Sequence, residues 1–491
     1  MALVVGVCLG ACASSGGLQV IPAGELSEGG GQPSVASIND RGGGDIPGSG
    51  TLVPVDGDGF ATIGEVLHIR GRNFGRQPTV TIGATAISVV SRTEDGGILV
   101  RVPPGTPAGE QRLAVTTEGG RGEAALRVRR IAVGRVGPQL YWFDLDPERP
   151  KLLGEAAVPN ARAVVVSREG RAAYVVDASG ALLTYELAAQ GSPRAGARLA
   201  LGQAARGLLA PSDDSRLFVM GSDALIEVDT SLPLRPVLGR SRPLPNWAHG
   251  SKALHAAISP DGRRLAIAAG ERNRVVVIDV AALQSAAASP AAELALVPEV
   301  LAPVLVDLTF APDGQTLWVL SGASADNQAV GPQSTRVHAV RLTEANGALT
   351  LSRARMVQID AANAPQAIVT GHGLDLQSGA AIRQPPERAT VYVAAYQREE
   401  PRPQLFSVGP NDIATPAPVL APVGVMGRPQ VSPDEHWLLA LTSDPEGANL
   451  LLGVRLRGGR AVVVSLPGKP LARALADAPL SSRTSEVRIQ P

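Results

Sequence analysis

Residues Ile258 to Val280 read "ISPDGRRLAIAAGERNRVVVIDV". An apolar strand end runs into Ser259-Pro260-Asp261-Gly262. A second apolar run, a short polar loop and a third run, Val275 to Val280, follow. The turn has a mechanism: Pro presets φ, Asp caps the turn through its side chain, and Gly takes φ > 0. Three strands cannot bury their own faces, so the unit must recur or pack on something else.

It recurs. Copies start at Val164 ("VVVSREGRAAYVVDASGALLTYEL"), Leu208 ("LLAPSDDSRLFVMGSDALIEVD"), Leu308 ("LTFAPDGQTLWVLSGAS") and Pro429 ("PQVSPDEHWLLALTSDPEGANLLLGVRL"). A degenerate copy, "ATVYVAAYQREEPRPQLFSV", ends at Val408. Aligning second strands on Tyr174, Phe218, Ala266, Trp318, Tyr392 and Leu439 gives spacings of 44, 48, 52, 74 and 47 residues. The 74 reflects inserted residues around 371–390. Periods of ~40–50 with four strands per unit mean a β-propeller. A partial unit, Arg129 to Val158, holds second, third and fourth strands without a first. The chain's last strand, within Ser485 to Gln490, is expected to supply the missing inner strand and close the ring at seven blades, removing an exposed sheet edge.

Composition agrees with an all-β chain. Its 491 residues exceed the ~250–300 at which single cores split, so more than one domain is expected. Gly (55) and Pro (40) are abundant and helical periodicity is absent. Lys+Arg and Asp+Glu are both 45, so nothing in the charge balance points to nucleic acid.

The repeats resemble the YVTN family, related to the lactonase-like seven-bladed propellers. The turns Ser259-Pro260-Asp261-Gly262, Ala311-Pro312-Asp313-Gly314 and Ser432-Pro433-Asp434-Glu435 carry the resemblance, with Val276-Val277-Ile278-Asp279 as third-strand signature. It spans roughly residues 131–491 and implies fold, not activity. Tyr174, Phe218, Trp318 and Tyr392 share one strand position and read as core between blades.

Upstream, residues 51–130 alternate as short strands. "VLHIRGRNFG" (Val66 to Gly75), "VTIG" (Val80 to Gly83), "ILVRVPPG" (Ile98 to Gly105) and "GEQRLAVT" (Gly109 to Thr116) resemble the IPT/TIG immunoglobulin-like domain. The resemblance implies a small β-sandwich acting as spacer or binding module. Phe74 reads as a core plug and His68 as a half-exposed strand residue.

At the N-terminus, residues 2–11 are apolar and end in small residues, like a secretory signal. Leu9-Gly10-Ala11-Cys12 resembles the bacterial lipobox, which implies a signal peptide over 1–11 and lipidation of Cys12. An ordinary signal peptide with a chance cysteine is the alternative. No Lys or Arg precedes the apolar run, a departure from the pattern. Ala13, rather than an acidic residue, implies an outer-membrane destination. Residues 12–50 are Gly-, Ser- and Pro-rich without aromatics and read as a flexible tether.

Chemistry is harder to find. The six histidines (68, 249, 255, 338, 372, 436) form no metal-ligand spacing, and no phosphate-binding loop or nucleophile elbow is present. The Pro-Asp-Gly turns read as turns, not metal sites. No cofactor and no metal are expected. First strands line the propeller channel, and residues leading into them are often polar: Arg162, Arg206, His255, Asp307, His372 and Arg428. They form the candidate ligand site at the channel mouth, with a water-filled channel of self-satisfied charges as the alternative. The long connections 236–255, 321–336, 361–376 and 397–403 all fall on that face. Two functions follow. One is a non-enzymatic, lipid-anchored envelope protein whose propeller binds a protein or glycan. The other is a lactonase-like hydrolase or isomerase at the channel mouth, with the same polar residues as its cast.

Overall fold

The computed structural model describes residues 31–41, 61–145, 151–167, 170–187, 194–211, 215–244, 254–269, 274–283, 292–296, 304–311, 313–322, 335–359, 362–370, 391–397, 403–408, 414–416, 428–432, 437–443, 449–455, 461–465 and 485–489. Among them no α-helix occurs, and the strands form nine sheets in two groups.

The first group is a sandwich. One sheet runs Ser34–Arg41, Val66–Arg72, Ile98–Arg101, Val89–Arg92. The other runs Ala61–Thr62, Gly120–Arg129, Gly109–Thr117, Thr79–Ile82, Thr85–Ile87. Leu67, Ile69, Ile98 and Val100 from one face meet Val80, Ile82, Leu113 and Val115 from the other in a single buried core. Phe74 plugs that core. Gly71 makes room for it: a Cβ there would stand 2.0 Å from the Ser34 carbonyl and 2.4 Å from the Phe74 ring.

One expectation fails here. Ser34–Arg41 lies inside the stretch read as tether, yet pairs antiparallel with Val66–Arg72. Val35 and Ile38 pack on the sandwich core, and that apolar contact outweighs the glycine-rich surroundings that suggested a flexible chain.

The second group is a ring of seven four-stranded antiparallel sheets. In each, strand order in space follows strand order in sequence except in the first. There Ile131–Val136, Gln139–Asp144 and Lys151–Ala157 are joined by Ser485–Ile489, which pairs in register with Ile131–Val136. The chain's last strand thus completes its first sheet, as the missing strand required. The innermost strands of sheets one to seven are Ser485–Ile489, Ala161–Val166, Ala205–Leu209, Leu254–Ile258, Val304–Phe310, Ala362–Thr370 and Gln430–Val431. Each touches the next, and the seventh touches the first, so the inner strands close on themselves.

Core clusters fill the gaps between successive sheets. Trp142 and Tyr185 meet between the first and second sheets with ring centroids 5.7 Å apart. Tyr174 fills the second gap, Phe218 the third and Trp318 the fifth. Their shared strand position is inter-sheet core, as the repeat implied. At the closure, a Cβ on Gly134 would stand 2.9 Å from the Phe143 ring and 3.2 Å from Leu441 of the seventh sheet, so only glycine seats the last sheet on the first without a shift.

The turns behave as their composition dictates. Asp261 accepts from the Ser259 hydroxyl and from the Arg263 N–H, and Gly262 takes φ of 70°. Asp313 accepts from the N–H groups of Gln315 and Thr316, with Gly314 at φ 65°. Burial alone would raise the Asp261 pKa, but these two hydrogen bonds and the nearby Arg263 and Arg264 charges bring it below the usual carboxylate value. These carboxylates are occupied by their own turns.

No flexible connection separates sandwich from ring. Gly120–Arg129 ends one residue before Ile131–Val136 begins. Arg129 Nε lies 2.7 Å from Asp144 Oδ2, with both side chains 5 % exposed. Arg130, buried, donates from Nη2 to the Thr106 carbonyl of the sandwich at 2.8 Å. The Ile63 N–H donates to the Arg129 carbonyl, and the Leu145 N–H to the Arg130 carbonyl.

Candidate functional site at the channel mouth

Of the six residues singled out at the mouth, five lie among the described residues, and they fall at two positions along the inner strands. Register sorts them against the shared second-strand position. Val165 faces Tyr174, and Leu209 faces Phe218. Arg162 and Arg206 each stand three residues before that facing residue, at the start of the second and third inner strands. Each sits where the ladder register shifts, between Ala161 and Ala163 and between Ala205 and Gly207. A bulge re-aims the extra side chain, and both arginines are exposed. Arg162 makes no ion pair or side-chain hydrogen bond with the described residues.

His255, Asp307 and Arg428 stand one step further in, two residues before Ala257, Thr309 and Gln430. They are less accessible: His255 and Arg428 are half-buried and Asp307 is buried. The structure brings two of them together. Arg428 Nη2 lies 3.5 Å from Asp307 Oδ2, linking the fifth sheet to the seventh. The same carboxylate accepts the Leu308 N–H at 2.8 Å through Oδ1 and the Ile368 N–H of the sixth sheet at 3.2 Å through Oδ2. Asp307 therefore staples three successive sheets at their inner edge, a role for which a buried carboxylate needs several donors.

His372 is misplaced in the sequence reading. The sixth inner strand is Ala362–Thr370, so His372 follows it instead of leading into it, and belongs to the first-to-second connection. His372 itself lies outside the described residues, as do Cys12 and residues 1–30. The long connections are also partly strand: Val237–Pro243 and Ala362–Thr370 fall within 236–255 and 361–376.

Several polar residues were not anticipated. Arg135, in the apolar run "IAVGRV", is buried and donates from Nη1 to the Ala161 carbonyl at 3.2 Å, tying the first sheet to the mouth of the second. His68 is buried, not half-exposed, and its Nε2 lies 3.1 Å from the Thr93 hydroxyl, bracing the Thr93–Gly97 turn. His338 Nε2 lies 2.9 Å from the Ser321 hydroxyl. A serine beside a histidine has the makings of a nucleophile and base, but both residues are 0 % exposed, where no substrate reaches. Burial first, then the charges of Arg353 and Arg336, push the His338 pKa down to about 4, so its ring is neutral at pH 7. Among the described residues no group of three His, Cys, Asp or Glu side chains could hold a metal ion.

These geometries can be set beside known proteins. Residues 44–127 match the IPT/TIG domain family. The match takes in the sandwich from Ala61–Thr62 to Gly120–Arg129, short of that last strand's final two residues, and leaves Ser34–Arg41 outside it. Solved structures similar to the chain include a protein of Bacteroides uniformis with a proposed 6-phosphogluconolactonase activity. It is 15 % identical, with a TM-score of 0.45 over 68 % of this chain and 95 % of that one. The hydrazine synthase of Kuenenia stuttgartiensis is 16 % identical, with a TM-score of 0.43 over 67 % and 92 %. The β-propeller domain of Cps50 from Myceliophteria thermophila is 13 % identical, with a TM-score of 0.42 over 72 % and 92 %. No curated protein matches the sequence. The seven-sheet ring rests on its own strand order, and fold alone assigns no activity.

Proposed function

We propose that the chain is a non-enzymatic binding and scaffold module of the bacterial cell envelope, held by a lipid on Cys12 and presenting its propeller to a protein or glycan partner. The exposed Arg162 carries this reading. A bulge on an inner strand holds an arginine at the channel mouth, beside a neighbouring strand that repeats the device with Arg206. A guanidinium fork on a rigid scaffold suits the carboxylate or phosphate of a partner.

The staple at Asp307 supports the same reading. A general base must hold a lone pair toward substrate. Both oxygens of this carboxylate already accept backbone N–H groups. The buried junction at Arg129 and Asp144 supports a scaffold, because the IPT/TIG domain passes into the propeller without a hinge.

The test is crosslinking in cells of the tagged full-length chain, compared with the Arg162→Ala/Arg206→Ala double variant. A defined envelope protein or glycan that crosslinks to the parent and is lost from the variant is expected. Saturable turnover of lactones by the purified parent, abolished in the variant, would overturn the reading. It would favour the hydrolase alternative, the class of activity proposed for the Bacteroides uniformis protein. Unaltered crosslinking in the variant would remove the arginines from the site. The anchor is checked separately by mass spectrometry of the N-terminal peptide with and without Cys12→Ser.

A further inference from the structure

We infer that the outer strand of the third sheet, Val237–Pro243, is a docking edge for an acidic, extended segment of a partner protein, taken up as a fifth strand. This surface is separate from the channel mouth.

Four large apolar residues are exposed among the described residues. Three of them sit here: Val237 at 60 %, Leu232 at 49 % and Leu238 at 46 %. Among the described residues the strand is last in its sheet and pairs only with Ala224–Asp229, so one row of its backbone donors and acceptors faces away from that partner. Its first five residues are all exposed, so both faces as well as the edge are open. The outer strand of the second sheet, Arg194–Ala200, instead alternates exposed and half-buried residues toward its end. Edge strands are normally blunted by shortness, charge or cover. Here Pro236 and Pro243 flank the strand, Arg240 and Arg242 charge it, and a bulge sets Gly239 and Arg240 opposite the single residue Glu227, devices that disfavour pairing with a neutral or basic strand and leave one of opposite charge able to add.

Charge selects the occupant. Arg235 and Arg240 are exposed and make no ion pair or side-chain hydrogen bond with the described residues. Arg242 reaches Glu227 at 3.6 Å. A second copy pairing antiparallel about Ser241 would bring Arg240 opposite Arg242 of its counterpart, and like charges across strands destabilise that register. Val237 and Leu238 are consecutive and point to opposite faces, so a strand alternating Asp or Glu with apolar residues would set its carboxylates toward the arginines and its apolar residues toward one of these two. Backbone hydrogen bonds then supply affinity and alternate side chains supply specificity. The platform is fixed in advance: the Leu234 carbonyl accepts the Ala197 N–H of the second sheet, bracing the loop that leads into the strand.

The test uses the full-length chain and two labelled peptides, one alternating Glu with Val and one alternating Lys with Val. Fluorescence anisotropy should show saturable binding of the Glu peptide, weakening at least tenfold with Arg235→Glu/Arg240→Glu and with rising salt. Hydrogen exchange should slow at Val237 to Arg242 on binding. Both variant positions are exposed, so their folding is not at issue, and a gain of the Lys peptide by the charge-reversed variant is the matching positive result. Arg162→Ala should leave this binding unchanged, which separates it from the channel-mouth proposal. Three outcomes overturn the inference: equal binding of both peptides, protection that falls elsewhere, or a concentration-dependent dimer that buries Val237 to Arg242. Binding to phosphatidylglycerol vesicles without binding to the Glu peptide would also overturn it, making the patch a lipid contact.

Discussion

At the junction of sandwich and ring, Arg129 and Asp144 meet at 2.7 Å with both side chains 5 % exposed. At the channel mouth, Arg162 stands exposed on an inner strand with no ionic partner among the described residues. Asp307 and Arg428 fall between, one buried and one half-buried, 3.5 Å apart. The difference is one of solvent. A buried charge must be matched by donors or acceptors, so its energy goes into holding elements together. An exposed charge is matched by water and remains available to exchange that water for a ligand. The chain's net charge of zero hides this division, because balanced totals do not say which charges are already engaged.

The comparison breaks most visibly at the junction. Replacing Asp144 with Ala leaves the Arg129 guanidinium buried against an unfilled site, and we expect a loss of about 3–5 kcal/mol. Urea unfolding followed separately by sandwich and ring probes should show both transitions moving. A loss below about 1 kcal/mol would put this pair in the class of surface ion pairs and remove the contrast.

His338 offers a second break, through pH. Its folded pKa of about 4 lies below the unfolded value of 6.5. Between those values the unfolded chain binds a proton that the folded chain refuses. Stability is therefore full above about pH 6.5 and falls as pH drops toward 4, by about 3 kcal/mol in total at 1.36 kcal/mol per unit. The lowered carboxylates Asp95, Asp177, Asp229 and Asp261 act below this window, since their folded pKa values lie under 3.8. His338→Gln keeps a polar atom for Ser321 and does not titrate, so the urea midpoint of that variant should lose most of its slope between pH 6.5 and 4.

Much of the ring was legible because its signals are local. Alternating apolar residues, the turn at Ser259 to Gly262 and the recurring second strand each lie within a few residues of one another. The strand that closes the ring was legible for a topological reason: a unit lacking its first strand and a chain ending in a lone strand need each other. What was missed depends on distance or context. Ser34–Arg41 hides its two core contacts, Val35 and Ile38, among glycines. The sixth inner strand carries Pro365 and precedes the inserted residues, so the repeat pattern hides it and His372 reads as leading into a strand that it follows. Charge pairing between sheets leaves no local trace: nothing around Asp307 announces Arg428, and nothing in "IAVGRV" shows that Arg135 is buried.

The Asp307 staple is the intermediate case. Asp307→Ala removes the acceptor for the Leu308 and Ile368 N–H groups and the partner of Arg428. Because Arg428 can turn to water, the expected loss is about 2 kcal/mol, smaller than at the junction. Hydrogen exchange should quicken at the inner strands of the fifth and sixth sheets and not in the sandwich. A loss equal to that of Asp144→Ala would mean that the mouth is as dry as the junction.

The smallest stability effect belongs to Arg162. Its side chain is exposed and holds no described partner, so Arg162→Ala should shift the urea midpoint by no more than about 0.5 kcal/mol. The bulge between Ala161 and Ala163 is set by backbone pairing and should persist. Partner crosslinking is expected to fall in the same variant. A residue whose removal leaves the fold alone and abolishes capture is a binding residue. One whose removal unfolds the second sheet would instead join Arg129 and Asp144 as structural charge. Arg162→Lys sharpens the choice: it keeps the charge but not the planar fork, so a bidentate contact would weaken while a purely electrostatic one would survive.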